Sequence, residues 1–288
     1  MIRLGTRGSA LALTQARWVA ERLPSARLVP IATSGDRGPS GDKSRFVKEI
    51  ERALLRGEVD LGVHSAKDVP GRLPHGLAIV AVPARADPRD ALCGAASLAE
   101  LPEGAVVGTA SVRRRAQLAA LRSDLEVREL RGNVDTRLRR LAEGAFDAIV
   151  LAQAGLDRLG RGAEGAALDE LVPAPGQGCL ALEGRAGDAE TATAAEALTD
   201  RSALARLLAE RALVEALEAT CDVPIGAHAS LDGGTLRLTS FVGLPDGSHW
   251  IRDTLDGDPS APAALGAAGG ERLLAAGAGE VLAEAERQ

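Results

Sequence analysis

Short apolar runs alternate with amphipathic stretches along the first half of the chain. "IRLGT", "RLVPIA" and "VDLGVHS" read as strands, and the segments from about Ser9 to Leu23 and "FVKEIERALLRG" read as the helices between them. This βαβαβ logic predicts an α/β fold, a mostly parallel sheet covered by helices, with ligands bound at the C-terminal strand ends. After the strand "LAIVAV", the stretch "PARADPRDAL" is rich in proline and charge and reads as a crossover. A second unit follows, with "AVVGT", a helix at Ser111, "LEVREL", a helix from Asn133, "DAIVLA" and a short helix "AGLDRLG". "VPAPGQG" breaks the pattern, and the apolar strand "CLALE", standing alone before a helical region, is expected to return to the first unit. A third unit opens near Asp200 with "RSALARLLAERALVEALE". It continues through the turn "DVPIG" to the strands "AHASLD", "TLRLTSFVG" and "HWIRDTLDG", and an Ala/Gly-rich helix ends the chain.

A length of 288 residues fits two or three domains. Arg3, Arg7 and the Thr14–Gln15 break leave the opening residues without a signal-peptide core or a spanning segment, so the expected location is cytoplasmic. Cys93, Cys179 and Cys221 are widely spaced, with no CxxC, which argues against a disulfide framework and a zinc site. Net charge is -6, yet residues 111–158 hold ten arginines against seven acidic residues. Lysine occurs only at positions 43, 48 and 67, so arginine position says more than arginine number. A pI near 5.4 with no Tyr, three Phe and two Trp supplies neither a basic domain nor stacking platforms, and nucleic acid is not expected as a partner.

The chemistry is concentrated where strands should end. "GTRGS" puts Arg7 and Ser9 there, "HSAKD" puts Lys67 and Asp68, "GTAS" leads through Thr109 and Ser111 into Arg113, Arg114 and Arg115, and "RGN" puts Arg131 and Gly132 beside Asn133. Ser111 and Asn133 are helix caps by residue type, and Arg137 follows in the first turn or so of the second helix. Cations at a helix start oppose the macrodipole unless an anion docks against both them and the free N–H groups. A polyanionic ligand is the expectation. Taken singly, Asp68 before Val-Pro also reads as a turn former, Lys67 as a surface lysine, His64 as a core residue, and Cys221 as either a small buried hydrophobe or a loop nucleophile.

Together "TRGSALALTQA", "FVKEIERALL", "VHSAKDVP", "GTASVRRRAQL", "LRGNVDTRL", "LAQAGLDRLG", "PAPGQG" and "CDVPIGAHA" resemble, in order and over nearly the whole chain, the porphobilinogen deaminase family. The resemblance implies two periplasmic-binding-protein-like α/β domains around a cleft plus a smaller C-terminal α+β domain. The corresponding segments are 1–84 with 176–198, then 85–175, then 199–288. It implies a transferase of tetrapyrrole and heme biosynthesis, a monomer acting on porphobilinogen, with neither a membrane nor a nucleic acid as partner. Four porphobilinogen molecules are deaminated and joined head to tail into the linear tetrapyrrole hydroxymethylbilane. A dipyrromethane cofactor, bound as a thioether to Cys221, starts the chain. Asp68 matches the family's catalytic aspartate. Lys67, Thr109, Ser111, Arg113, Arg114, Arg131 and Gly132 match cofactor contacts, and Arg7, Ser9, Phe46, Arg137, Arg158 and Gln177 match substrate contacts. No metal is implied.

The chemistry fits these residues. Each pyrrole carries an acetate and a propionate, so a growing chain gathers carboxylates that arginines can hold. Loss of ammonia leaves an electron-poor methylene-pyrrole cation, which a nearby carboxylate stabilises. Arg115 falls outside the match and is expected on the surface. The loop "TSGDRGPSGDKSRF" departs from the family in length and in Asp42 and Arg45, with Lys43 its other polar candidate. A non-enzymatic anion receptor is the main rival.

Overall fold

The computed structural model describes residues 1–33, 46–218 and 223–287. The first part runs β1 (Ile2–Arg7), α1 (Ala10–Ala20), β2 (Ala26–Ile31), α2 (Lys48–Leu55), β3 (Leu61–Ser65) and β4 (Leu77–Ala81). The second runs β5 (Asp90–Cys93), β6 (Val106–Gly108), α3 (Val112–Leu121), β7 (Glu126–Arg128), α4 (Val134–Ala142), β8 (Ala148–Ala152), α5 (Gln153–Arg158) and β9 (Ala166–Leu168). Then come β10 (Leu180–Arg185), α6 (Ala189–Glu196), α7 (Arg201–Ala216), β11 (Ile225–Asp232), β12 (Thr235–Gly243), β13 (Trp250–Gly257), α8 (Pro262–Ala275) and α9 (Ala278–Ala285).

Two five-stranded sheets result, β2-β1-β3-β10-β4 and β7-β6-β8-β5-β9. Each is less parallel than the sequence pattern predicts, because one inner strand is reversed: β10 is antiparallel to β3 and β4, and β5 to β8 and β9. These are the two strands on which the chain enters one sheet from the other. A short crossover leaves one sheet at its C-terminal strand ends and meets the facing edge of the next, so the entering strand must run back from that edge. Accordingly Asp90 starts β5 opposite Ala152, the last residue of β8, and Leu180 starts β10 opposite Ser65, the last of β3. The stretch read as one crossover, "PARADPRDAL", therefore ends at Arg89.

Apolar alternation sets the layers. Leu61 and Val63 of β3 pack with Ala16 and Val19 of α1, while the opposite face of the same strand meets Ile50 of α2 at Gly62. The second sheet is likewise buried on both faces, with Leu118 of α3 on one side and Leu138 of α4 on the other. A smaller unit packs the antiparallel β11-β12-β13 against α7, α8 and α9 through Leu213, Leu238, Leu273 and Val281. The chain is thus two α/β domains plus a smaller α+β domain. Its final helix is divided at Gly277, which takes a left-handed φ of 96°.

Candidate active site

The facing strand ends build the site. β1 ends in Arg7, whose guanidinium lies 4.1 Å from the centre of the Phe46 ring, a cation–π pair. Ser9 caps α1, its hydroxyl oxygen accepting from the Ala12 N–H at 3.3 Å. The chain leaves β3 in one 3₁₀ turn, Ala66–Asp68, pinned at its start by the Ala66 N–H donating to the Cys179 carbonyl at 3.0 Å. Gly176 and Gly178 hold positive φ and bring the return crossover in close: a Cβ on Gly176 would lie 3.0 Å from the Lys67 nitrogen, and one on Gly178 2.5 Å from the Ala86 carbonyl oxygen. Between them Gln177, 1% exposed, accepts from Lys67 Nζ at 3.2 Å and donates to the Pro88 carbonyl at 2.7 Å and to Asp90 Oδ1 at 2.9 Å. One buried amide thereby links the two sheets.

The opening of α3 is organised around Asp90. Thr109 Oγ1 accepts from the Ser111 N–H at 3.2 Å, and Ser111 caps the helix by accepting from the Arg114 N–H at 3.4 Å. Arg113 donates to both Asp90 oxygens at 2.7 and 3.1 Å and to the Val172 carbonyl at 2.6 Å. Arg114 donates to Asp90 Oδ1 at 2.9 Å and to the Val150 carbonyl at 2.8 Å. Burial works to raise the Asp90 carboxyl, but Arg113 and Arg114 hold it well below the usual carboxylate range. An anion expected at this helix start is thus supplied by the protein itself. Arg115, one position on, is exposed.

Other basic side chains are held mainly by backbone carbonyls, an amide or an exposed acid. Asn133 caps α4, accepting from the Thr136 N–H at 2.8 Å, and Arg137 Nε donates back to the Gly132 carbonyl at 2.7 Å. Burial, then the neighbouring charges of Arg114 and Arg131, push Arg137 down to about 10. Arg158 donates to the Gly178 carbonyl at 2.8 Å, and burial lowers it too. Among the described residues, no carboxylate forms an ion pair with Arg137 or Arg158. Arg131 is exposed and pairs with Glu129 at 2.6 Å. Lys67 is pushed down to about 7 by burial and then by Arg114, against the pull of Asp68 and Asp90. Asp68 is half-buried, and no side-chain hydrogen bond reaches it among the described residues. Cys221, Asp42, Lys43 and Arg45 lie outside the described residues.

Two acidic groups central to this architecture escaped the sequence reading. Asp90 was hidden in the supposed crossover. Glu210, fully buried, accepts from Arg85 at 2.5 Å and from the Gly176 and Ala229 N–H groups at 2.6 and 2.7 Å, joining all three units. A signal for it existed: spacing from Ala203, Leu207 and Leu213 puts an acid on the apolar stripe of α7, where it requires a partner. No helix of the described residues is long and apolar enough to cross a membrane.

Residues 2–193 match a family model described as porphobilinogen deaminase, dipyromethane cofactor binding domain, and residues 204–275 match the model of the porphobilinogen deaminase C-terminal domain. Among curated proteins, the porphobilinogen deaminase of Brevibacillus brevis is 46% identical over 304 residues, spanning 99% of this chain and 98% of that protein. That of Thermus thermophilus is 48% identical over 297 residues, spanning 99% of each. Among solved structures, a nutrient binding protein from Burkholderia cenocepacia bound to methionine aligns with a TM-score of 0.43 at 13% identity, over 69% of this chain and 91% of that one.

Proposed function

The chain belongs to the porphobilinogen deaminase family, and from that premise we propose that it deaminates porphobilinogen and joins four molecules into hydroxymethylbilane, with Asp68 as the catalytic carboxylate. The carrying observation is a set of donors without acids: Arg137 and Arg158 are partly desolvated cations, Lys67 is a desolvated amine whose charged form a carboxylate would favour, and among the described residues none has a carboxylate hydrogen-bonded to it. A ligand bearing several carboxylates fits such a donor set. The dipyrromethane, when bound, supplies the free pyrrole α-carbon to which new rings are added. Thr109, Ser111, Arg131 and the Gly132 backbone would extend the same donor set to its carboxylates, with the Asp90-held Arg113 and Arg114 behind them. Arg7, Ser9, Phe46 and Gln177 stand on the first-sheet side and between the sheets, where an incoming ring would be oriented.

With no side-chain hydrogen bond among the described residues, the Asp68 oxygens can turn to the substrate. Placed by the pyrrole N–H of porphobilinogen, it stabilises the cation formed as ammonia leaves and takes up or returns a proton at its carboxylate oxygen. The attachment point is Cys221. Cys93 and Cys179 are poor rivals, since both are buried and burial pushes both thiols up to about 11. The working form is a cytoplasmic monomer with no nucleic-acid partner.

Intact mass tests this. The purified protein should exceed its sequence mass by one dipyrromethane, and Cys221→Ala should remove the increment. A fully active protein without the adduct would remove the assignment, and an adduct on Cys93 or Cys179 would remove the site.

A further inference from the structure

Helix α7 belongs to two domains at once. Ala203 and Leu207 share an apolar cluster with Ala66, Val69 and Cys179, the residues that flank the Lys67–Asp68 turn, whereas Ala209 and Leu213 lie in the core of the third domain. Arg211, on the second half of the helix, reaches over the segment that follows Asp68. Its Nη1 donates to the Val69 carbonyl at 3.3 Å, and its Nη2 donates to the Pro70 and Gly71 carbonyls at 2.8 and 2.7 Å. Three successive carbonyls take donors from one planar guanidinium, in a segment with no helix or strand of its own and with a proline that brings no N–H.

This clamp matters because of what Asp68 lacks. With no side-chain hydrogen bond reaching its carboxylate among the described residues, Asp68 is placed by its backbone. That backbone is fixed before the turn by the Ala66 N–H on the Cys179 carbonyl and after it by Arg211. We propose that Arg211 is a positioning residue for Asp68, and that it sets the position of that carboxylate relative to the domain whose chain continues from α7 to Cys221. This assignment rests on Asp68 being the catalytic carboxylate.

The test uses the protein as purified with its cofactor, in Arg211→Met and Arg211→Lys, with Glu215→Ala as the control. Glu215 is on the same helix and exposed, and among the described residues its side chain pairs only with the exposed Arg72, at 3.5 Å, so its loss should leave turnover unchanged. Arg211→Met should lower kcat by about 10- to 100-fold, the scale of a misplaced reacting group, with KM for porphobilinogen within about threefold and the cofactor mass unchanged. Lysine, which keeps the charge but loses the fork, should recover part of kcat. In an Asp68→Asn background Arg211→Met should cause no further loss, because it acts through the group already removed.

Wild-type kcat in Arg211→Met, a rise in KM alone, or a loss that adds in full to that of Asp68→Asn would each overturn the proposal. If the methionine variant does not fold, Arg211→Lys decides: reduced kcat with full cofactor supports the clamp, and unchanged kcat removes it. Near-normal turnover in Asp68→Asn would instead remove the catalytic aspartate itself. A silent Arg211→Met beside a crippled Asp68→Asn removes only the role of Arg211.

Discussion

Asp68 and Asp90 stand at equivalent edges, one where β3 ends and the other where β5 begins, and Gln177 lies between their strands. Their surroundings differ completely. Asp90 is fully buried and receives donors from Arg113, Arg114 and Gln177, whereas Asp68 is half-buried and receives no side-chain donor among the described residues. A carboxylate with its lone pairs filled is part of the architecture. One without side-chain donors among the described residues is the one we propose acts on the substrate.

The strongest way to break this contrast is to neutralise each aspartate in turn. Asp68→Asn keeps the turn-forming side chain and removes the charge, so turnover should fall about 10²–10⁴-fold with little change in thermal unfolding. Asp68→Glu, which moves the charge by one methylene, should retain more activity than Asn. Tetrapyrrole formation from porphobilinogen, measured beside melting temperature, checks both. Near-normal turnover in Asp68→Asn would leave the turn as its only role.

Asp90→Asn should show the opposite signature. It strands two buried guanidiniums beside a neutral amide, and breaking a buried pair from one side typically costs about 3–5 kcal/mol. The urea midpoint should drop sharply, and activity should fall with it, through lost folded protein and through Arg113, Arg114 and Gln177 losing their anchor. A variant as stable as the parent would mean that Asp90 does not hold Arg113 and Arg114 in place.

The same contrast explains what could be read from sequence. The caps Ser111 and Asn133 were legible because each accepts from an N–H three residues on, a local event written in local sequence. Arg115 is expected on the surface only because it falls outside the family match, and it is exposed. Asp90 was not legible, because its partners lie 23, 24 and 87 residues away and its own neighbourhood reads as a polar crossover. The reversed β5 and β10 were missed on the same ground: strand direction follows from where the chain crosses between sheets, which alternation does not encode. The dipeptide-scale glycines of "PAPGQG" did announce a special backbone, but what they approach is known only from the fold. Nor does residue type separate Arg113 and Arg114, held by Asp90, from Arg137 and Arg158, which meet backbone carbonyls.

That separation makes the next expectation graded. Arg137→Ala removes a partly desolvated cation without orphaning a carboxylate, so stability should hold while substrate or cofactor handling weakens by roughly one to two powers of ten, the worth of a charge-assisted hydrogen bond. Arg113→Ala should instead lose stability first, since it uncovers Asp90. Arg115→Ala should do almost nothing. Steady-state kinetics and unfolding for the three variants give the ordering, and a crippled Arg115→Ala beside a silent Arg137→Ala would reverse the assignment of faces.

The smallest expected effect sits between the two aspartates, on Lys67. Burial and Arg114 push it down to about 7, while the unfolded chain keeps a lysine at about 10.4. Between those values the unfolded state binds a proton that the folded state does not, so the contribution of Lys67 to stability rises as pH goes from about 7 towards 10. The difference in stability between the parent protein and Lys67→Met should climb across that window, and a flat difference would show that Lys67 is not desolvated. Ligand binding should act in the other direction. Carboxylates brought against Lys67 favour its charged form, so at pH 8 porphobilinogen binding should take up protons, measurable as a buffer-dependent binding enthalpy that Lys67→Met loses. If the proton uptake survives in that variant, another group on the cleft wall carries it, and the lysine belongs with Asp90 as architecture rather than with Asp68.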